Sequence, residues 1–411
     1  MPRTSRQWTE YPKLPSTHYV NSRIYTDEDL HREEIEKIYN KVWLIACHES
    51  ELPGKFDYRT FMHPSGRSLV LIRGEDDTIR AFYNTCSHRG NTLVQEPAGN
   101  TKRITCVFHH WSYDAHGNCT DIPREAAGYA GRVCKANVGL REVKCEKGLG
   151  GFVWVNIDDA CEPLSAFLGD ALEDLQVELA PPLEVFHYHQ AVIDTNYKLW
   201  HDTNRELYHD YMHYHNRLTG LSQKGYFDRV FHTYPNGHVQ LDSMEIQYQA
   251  YRGKQRTLGW PGATVACHKL IDIFPGTTFI LRAPSMRVDT MTPLGANKVM
   301  IEFRGLGLKS DTPEDRAERL KEHNNLWGPF GLNLHEDLFA NELQTRAMRD
   351  GAEAAHVLHA REENNTTHDE IGMRQYYAEW GRRMGRSPHD PYGKSATETA
   401  SQTPTKAMAR A

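Results

Sequence analysis

The sequence predicts an α+β protein in two parts, a small all-β domain followed by a larger domain that mixes strands and helices. Three observations carry that expectation. A length of 411 residues exceeds what one ordinary core organises, so two domains are the natural starting point. From about residue 50 to 157 the chain runs in short β-rich stretches separated by Gly, Pro, Asn and Asp, the texture of a small all-β unit. Beyond about residue 160, runs of both strand and helix periodicity appear.

The first element is helical, from about 26 to 46. Thr26, Asp27, Glu28 and Asp29 supply cap-type residues, and Leu30, Ile35, Ile38 and Tyr39 recur at roughly helical spacing. Strands are expected at Ser68–Ile72, Ile79–Tyr83, Ile104–Val107 and Gly151–Val155. The run Gly148-Leu149-Gly150-Gly151 lacks the full GxGxxG pattern and no helix follows it, so it reads as a bend before a strand. In the second part, Glu184–Val192 and Thr277–Leu281 read as strands, Tyr197–His215 and Pro313–Leu326 as helices. Ser395–Ala411 is rich in Ser, Thr and Ala with almost no large apolar residues, and reads as a disordered tail. The expected organisation is an N-terminal helical segment (1–45), a β domain (46–160), an α+β domain (161–394) and the tail (395–411).

Composition narrows the partners. A net charge of −6 with no sustained basic stripe argues against nucleic acid. Met1 to Trp8 carries positive charge but no apolar stretch follows, and runs such as Ser68–Ile72 are far short of the roughly 20 residues that cross a bilayer. A cytoplasmic protein without membrane contact is the expectation. Eight cysteines in a chain this long are too sparse for a disulfide framework, and a reducing compartment favours metal ligation. Cys47-His48 and Cys267-His268 are adjacent pairs with no second half, and both read as structural.

Cys86 and Cys106 differ from the rest. Cys86-Ser87-His88-Arg89-Gly90 is followed, with 17 residues intervening after His88, by Cys106-Val107-Phe108-His109-His110-Trp111. Each half offers one thiolate and one imidazole from a tight turn. Two such halves can give two Cys to one iron and two His to a second, which raises the cluster's potential. On spacing alone a tetrahedral zinc site of two Cys and two His competes. The flanks, Gly90, then Trp111-Ser112-Tyr113 and Gly117, and the β-rich context favour the cluster.

With these flanks the segment resembles the Rieske domain of the Rieske non-haem iron aromatic-ring-hydroxylating oxygenases, in their large (alpha) subunit. The loops C-x-H-R-G and C-x-x-H-x-W-x-Y match at suitable separation, and His110 stands where the family usually has a small residue. The resemblance implies a [2Fe-2S] cluster with Cys86 and Cys106 on the inner iron and His88 and His109 on the exposed one. It also implies a catalytic domain with a central antiparallel sheet flanked by helices, against which the N-terminal segment packs.

Asn196-Tyr197-Lys198 and Glu206-Leu207-Tyr208-His209 are similar to the catalytic-domain helix of that family. Two His and one carboxylate would hold Fe(II) on one face and leave positions for oxygen. His209 is the first ligand by resemblance. The second is His213, which shares a helical face with His209, or His215, which needs local widening of the helix. Trp327-Gly328-Pro329-Phe330-Gly331 leading to Glu336-Asp337 resembles the segment that supplies the carboxylate, with Asp337 preferred and Glu336 the alternative. Glu206 takes the place of an acid, generally Asp, that joins the two metal centres of neighbouring subunits; Glu there also occurs in some quaternary-amine oxygenases. His356 and His359 read as structural or solvent-exposed.

The resemblance implies the terminal component of a multicomponent oxygenase, using O2 and electrons that originate in NAD(P)H and arrive through a separate reductase, with or without a ferredoxin. A homotrimer, with or without a small β subunit, goes with it. An aromatic acid is the first substrate expectation, and a small alkanesulfonate or a quaternary amine the alternatives. From other classes, a Rieske electron-transfer protein or a zinc-stabilised binding module would share the first motif.

Overall fold

The computed structural model describes residues 12–219, 221, 223–245, 258–328, 331–349 and 356–393. The tail expected from 395 lies outside them, as do Pro329 and Phe330. The described chain enters through β1 (Tyr19–Asn21), which pairs antiparallel with the late strand β19 (His356–Leu358). Helices α1 (Arg23–Thr26) and α2 (Glu28–Glu34) follow, and Asp27 caps α2 by accepting from the amides of Asp29 and Leu30. One π-turn over Ile35–Tyr39 ends the helical run. It stops short of residue 46 because Leu44–His48 is wholly buried as strand β2.

Next come β3 (Asp57–Met62), β4 (Ser68–Arg73), β5 (Ile79–Tyr83) and β6 (Ala98–Asn100). A separate three-stranded sheet holds β7 (Ile104–Thr105), β8 (Ser112–Tyr113) and β9 (Cys119–Asp121). The strand expected over Ile104–Val107 is cut to two residues because Cys106 begins a tight loop. After the short helix α3 (Glu125–Tyr129), β10 (Glu142–Lys147) and β11 (Phe152–Asn156) complete a seven-stranded antiparallel sheet. Its order is β2–β11–β10–β5–β4–β3–β6.

Short helices α4 (Leu164–Leu168) and α5 (Gln176–Leu179) lead into the second sheet. Its strands are β12 (Leu183–Ile193), β13 (Phe231–Thr233), β14 (Val239–Glu245), β15 (Cys267–Ile273), β16 (Thr277–Arg282), β17 (Ser285–Gly295) and β18 (Lys298–Leu308). They lie in the order β12–β18–β17–β16–β15–β14–β13, every neighbour antiparallel. Helices α6 (Tyr197–Arg205), α7 (Tyr214–Thr219), α8 (Pro313–Trp327), α9 (Leu334–Arg349) and α10 (Ile371–Met384) flank it. Thr312 starts α8 with a capping box to Asp315 and Pro313 at the first helical position.

The pleat divides the middle of this sheet into two unlike faces. Ile271, Phe279, Leu281, Met286 and Val288 are buried in the main core, which they share with the first sheet; Phe152 meets Phe279 edge to face at 5.3 Å. Arg304 on β18 pairs with Glu51, which precedes the first sheet's second strand, at 3.0 Å. The opposite face presents His268, Leu270, Ile280, Arg282 and Arg287 towards α6, α8 and α9. Among the described residues no helix is long and apolar enough to cross a membrane.

Candidate metal centres

Cys86 and Cys106 each open a loop of the same shape. The amide of Gly90 donates to the Cys86 carbonyl and that of Cys86 to Asn91; His110 donates to Cys106 and Cys106 to Trp111. The fifth residue of each loop has a left-handed backbone, Gly90 at φ +75° and His110 at +61°. Glycine adopts that conformation freely, whereas a side chain costs roughly 1 kcal/mol. His110 is therefore a strained equivalent of Gly90, which is why a small residue suits the position.

The loops bring the four predicted residues together. Cys86 and Cys106 are buried, while the His88 and His109 rings meet edge to face at 4.6 Å nearer the surface. His88 stacks on Trp111 at 4.7 Å, its Nε2 lies 3.2 Å from the Tyr129 hydroxyl, and its Nδ1 is buried with no hydrogen-bond partner among the described residues. The Tyr113 hydroxyl sits 3.2 Å from Cys86 Sγ and accepts from the Ser87 amide. Two inner thiols, two outer imidazoles and an orphaned ring nitrogen suit a [2Fe–2S] group with mixed ligation. Beside His109, Val107 and Phe108 are exposed. None of the eight cysteines is in a disulfide.

The second group lies where the expected helix Tyr197–His215 breaks. Helix α6 ends at Arg205, and Glu206 is extended at φ −147°, ψ 151°. The Leu207 amide then donates to the Thr367 carbonyl, and Gly372 of α10 packs on the Arg205 backbone so closely that a Cβ there would sit 2.4 Å from the Arg205 carbonyl oxygen. A 3₁₀ turn over Tyr208–Tyr211 follows, and His213 precedes α7. The Glu206 carboxylate nucleates this turn by accepting from the His209 amide at 3.1 Å and from His209 Nδ1 at 2.9 Å.

The break aims the rings. A carboxylate only accepts, so Glu206 and Glu336 fix which nitrogen of each histidine donates: His209 Nδ1 to Glu206, and His213 Nδ1 to Glu336 at 2.6 Å. Both Nε2 atoms then face Asp337 Oδ1, at 3.8 Å for His209 and 3.1 Å for His213. Glu336, the alternative carboxylate from the sequence, holds His213 from behind. The side chain of His215 lies outside the described residues. Asp210 is a further neighbour, since His209, Asp210 and His213 each offer an atom within 4.8 Å of the others. One Asp210 oxygen already accepts from Asn216 at 2.7 Å.

Charge favours a cation here. Burial alone would drive the proton off His209, yet Glu206 and Asp337 outweigh it and raise its pKa to about 10. His213 also rises despite burial, through Asp337 and Glu336. Burial would raise the Asp337 pKa, but His213, His209 and Arg287 hold it below the usual range. Two imidazole nitrogens and one carboxylate oxygen, with the outer nitrogens tied to carboxylates, suit a two-histidine, one-carboxylate iron site. Iron binding must displace the protons that this pocket retains. Changing Glu336→Gln should weaken Fe(II) binding roughly ten- to hundredfold. Chelator competition measures this, with acid-labile sulfide unchanged as the control.

A cavity of about 40 Å³ adjoins this group, lined by His209, His213 and Asp337 on one side and His268, Arg282 and Arg287 on the other. No sequence motif marks Arg282 or Arg287, and the Cys267-His268 pair, which reads as structural from sequence, places His268 at this cavity. The available signal was an arginine on each of two successive strand runs, each beside apolar neighbours (Leu281 and Ala283, Met286 and Val288). His359 is buried and stacked on Tyr377 at 4.7 Å, away from the group.

Comparison with known proteins adds to this geometry. Residues 42–143 match the model of the Rieske [2Fe-2S] domain, and residues 181–386 that of the ring hydroxylating alpha subunit (catalytic domain). The methanesulfonate monooxygenase hydroxylase subunit alpha of Methylosulfonomonas methylovora is 48% identical over 95% of this chain and 96% of its own. The 2-aminobenzenesulfonate 2,3-dioxygenase subunit alpha of an Alcaligenes species is 40% identical over 94% of this chain and 98% of its own. In fold, a naphthalene 1,2-dioxygenase mutant bound to phenanthrene superposes with a TM-score of 0.76 at 19% identity, over 97% of this chain and all of that one.

Proposed function

The chain belongs to the alpha subunits of the Rieske ring-hydroxylating oxygenases, and from that premise we propose that it oxygenates a small organosulfonate. It carries a Rieske [2Fe–2S] cluster and a mononuclear iron, and works as the terminal oxygenase with O2 and reductase-supplied electrons. When bound, the cluster supplies single-electron storage and the iron supplies oxygen activation. We assign the cluster to Cys86, His88, Cys106 and His109, and the iron to His209, His213 and Asp337. Asp337 is preferred to Asp210 because one of its oxygens faces both Nε2 atoms.

The observation that carries the substrate reading is the cavity: about 40 Å³, with His268, Arg282 and Arg287 facing the candidate iron ligands. That space holds only a few water-sized volumes. It suits a one- or two-carbon sulfonate better than the aromatic acid expected from the resemblance. Two relatives matched over nearly their whole length are named for sulfonate substrates. Inserting one oxygen atom into a C–H bond of methanesulfonate gives hydroxymethanesulfonate, which dissociates to formaldehyde and hydrogensulfite. The second oxygen atom leaves as water, with two electrons from the reductase and two protons.

The assembly we infer is a ring of three, with or without a small β subunit, in which His109 of one copy approaches Glu206 of the next. Exposed Val107 and Phe108 beside His109, and exposed Tyr208, Tyr211 and Tyr214 beside Glu206, support it. Eight cysteines outside any disulfide support a reducing, cytoplasmic setting.

The test supplies the reconstituted holoenzyme and a reductase with methanesulfonate, 2-aminobenzenesulfonate, benzoate and carnitine. Methanesulfonate should give O2 uptake matched by formaldehyde and sulfite. Turnover of benzoate or carnitine alone would remove the sulfonate reading.

A further inference from the structure

Among the described residues two buried donors of the cavity have no partner, and their surroundings fix where they point. His268 is 2% exposed and its Nδ1 lies 3.0 Å from Arg229 Nη1. A guanidinium only donates, so Nδ1 accepts and the ring's proton sits on Nε2. That Nε2–H is buried without a hydrogen-bond partner. Burial, together with the charges of Arg282 and Arg229, lowers the His268 pKa well below its usual range, so the ring stays a neutral donor.

Arg287 is 5% exposed and held on three sides. One terminal nitrogen donates to Asp289 at 2.7 Å, and the guanidinium carbon lies 5.5 Å from the Phe303 ring centre and 5.1 Å from that of Trp327. Its Nε–H is buried with no partner. Stacking and the Asp289 bond fix the plane of the group, so this donor has a set direction.

The strand register puts the donors on one floor. His268 pairs with Arg282, and Ile280, two residues before Arg282, pairs with both Leu270 and Arg287. All five side chains therefore share one face, with the polar heads of His268, Arg282 and Arg287 around the apolar Leu270 and Ile280. Across the cavity stand His209, His213 and Asp337. Leaving buried N–H groups unpaired is costly, and a small oxyanion would satisfy them.

We propose that His268 Nε2–H and Arg287 Nε–H, on the sheet floor beside Arg282, anchor the sulfonate oxygens of the substrate and so set its specificity. The inference rests on the organosulfonate reading above. Held this way, the sulfonate lies on the sheet and the carbon end faces His209, His213 and Asp337. The anchor's uncharged donor serves a third oxygen, which a sulfonate has and a carboxylate lacks.

The experiment measures binding of methanesulfonate, 2-aminobenzenesulfonate, benzoate, acetate and dimethyl sulfone to the intact holoenzyme by calorimetry, without turnover. Wild type should prefer methanesulfonate to both acetate and dimethyl sulfone. His268→Leu and Arg287→Met should each weaken methanesulfonate binding roughly ten- to hundredfold, with iron and sulfide contents unchanged. His268→Gln and Arg287→Lys keep a donor and should recover part of the loss, which separates anchoring from misfolding. In turnover the Leu and Met variants should raise KM more than they lower kcat. Unchanged methanesulfonate affinity in both truncated variants would overturn the anchor while leaving the sulfonate reading in place. Wild type that binds benzoate but neither methanesulfonate nor 2-aminobenzenesulfonate would overturn the sulfonate reading itself.

Discussion

His209→Ala is expected to abolish substrate oxygenation while the visible spectrum of the cluster stays unchanged. The imidazole supplies one of three atoms that converge at the candidate iron site, and a two-ligand remnant of His213 and Asp337 holds Fe(II) poorly. Iron content should fall from about three to about two atoms per chain, since the cluster accounts for two. The cluster loops lie in a different sheet system and share no hydrogen bond with His209 among the described residues. Chemical iron analysis beside an activity assay reads both halves of this outcome. An electron-transfer protein whose second domain only binds a partner would lose nothing when His209 is replaced. Full turnover of the variant would therefore favour that rival.

Glu206→Ala is expected to be the next most damaging change, for two separable reasons. Its carboxylate holds His209 through both the amide and Nδ1, so removing it loosens the 3₁₀ turn and lets the ring rotate. It is also the residue we place between His109 of one subunit and His209 of the next. Turnover should fall about a hundredfold or more, at the upper end of what such supporting contacts contribute. Glu206→Gln keeps the length and one acceptor, so the turn should survive with its iron while electron delivery slows. The sign of that second effect is a cluster whose reduced spectrum persists after O2 and substrate are added together. Loss of iron in the Gln variant, with normal cluster oxidation in the molecules that retain iron, would leave Glu206 a purely structural role.

The parts of the fold that could be read in the sequence are those set by local pattern. Ile79–Tyr83 appears with the expected bounds and Pro313–Trp327 within one residue, because alternation and a Thr-Pro capping start act over a few residues. The helix expected through His215 failed because Glu206 and Leu207 have no helix-breaking chemistry of their own. The extended backbone of Glu206 and the non-helical one of Leu207 are imposed from a distance, by Thr367 and by Gly372 of α10. The four candidate cluster residues could be grouped from the sequence because each Cys–His pair sits in one loop. The floor of the cavity was not, because His268, Arg282 and Arg287 meet only through the pairing of three strands. Glu336 and Asp337 show the same limit, since the sequence gives no reason why one backs His213 and the other faces both imidazoles.

The central claim is that the two metal centres of this chain form one oxygenase, joined across a subunit boundary at His109 and Glu206. The most direct test coexpresses two differently tagged inactive chains, Cys106→Ser without a cluster and His209→Ala without the mononuclear iron. Oligomers carrying both tags are then isolated and assayed. Recovered oxygenation in the mixed oligomers, with none in either parent, is the result predicted, because a cluster in one chain would serve an intact iron site in its neighbour. Mixed oligomers that contain both intact centres and yet remain inactive would contradict it.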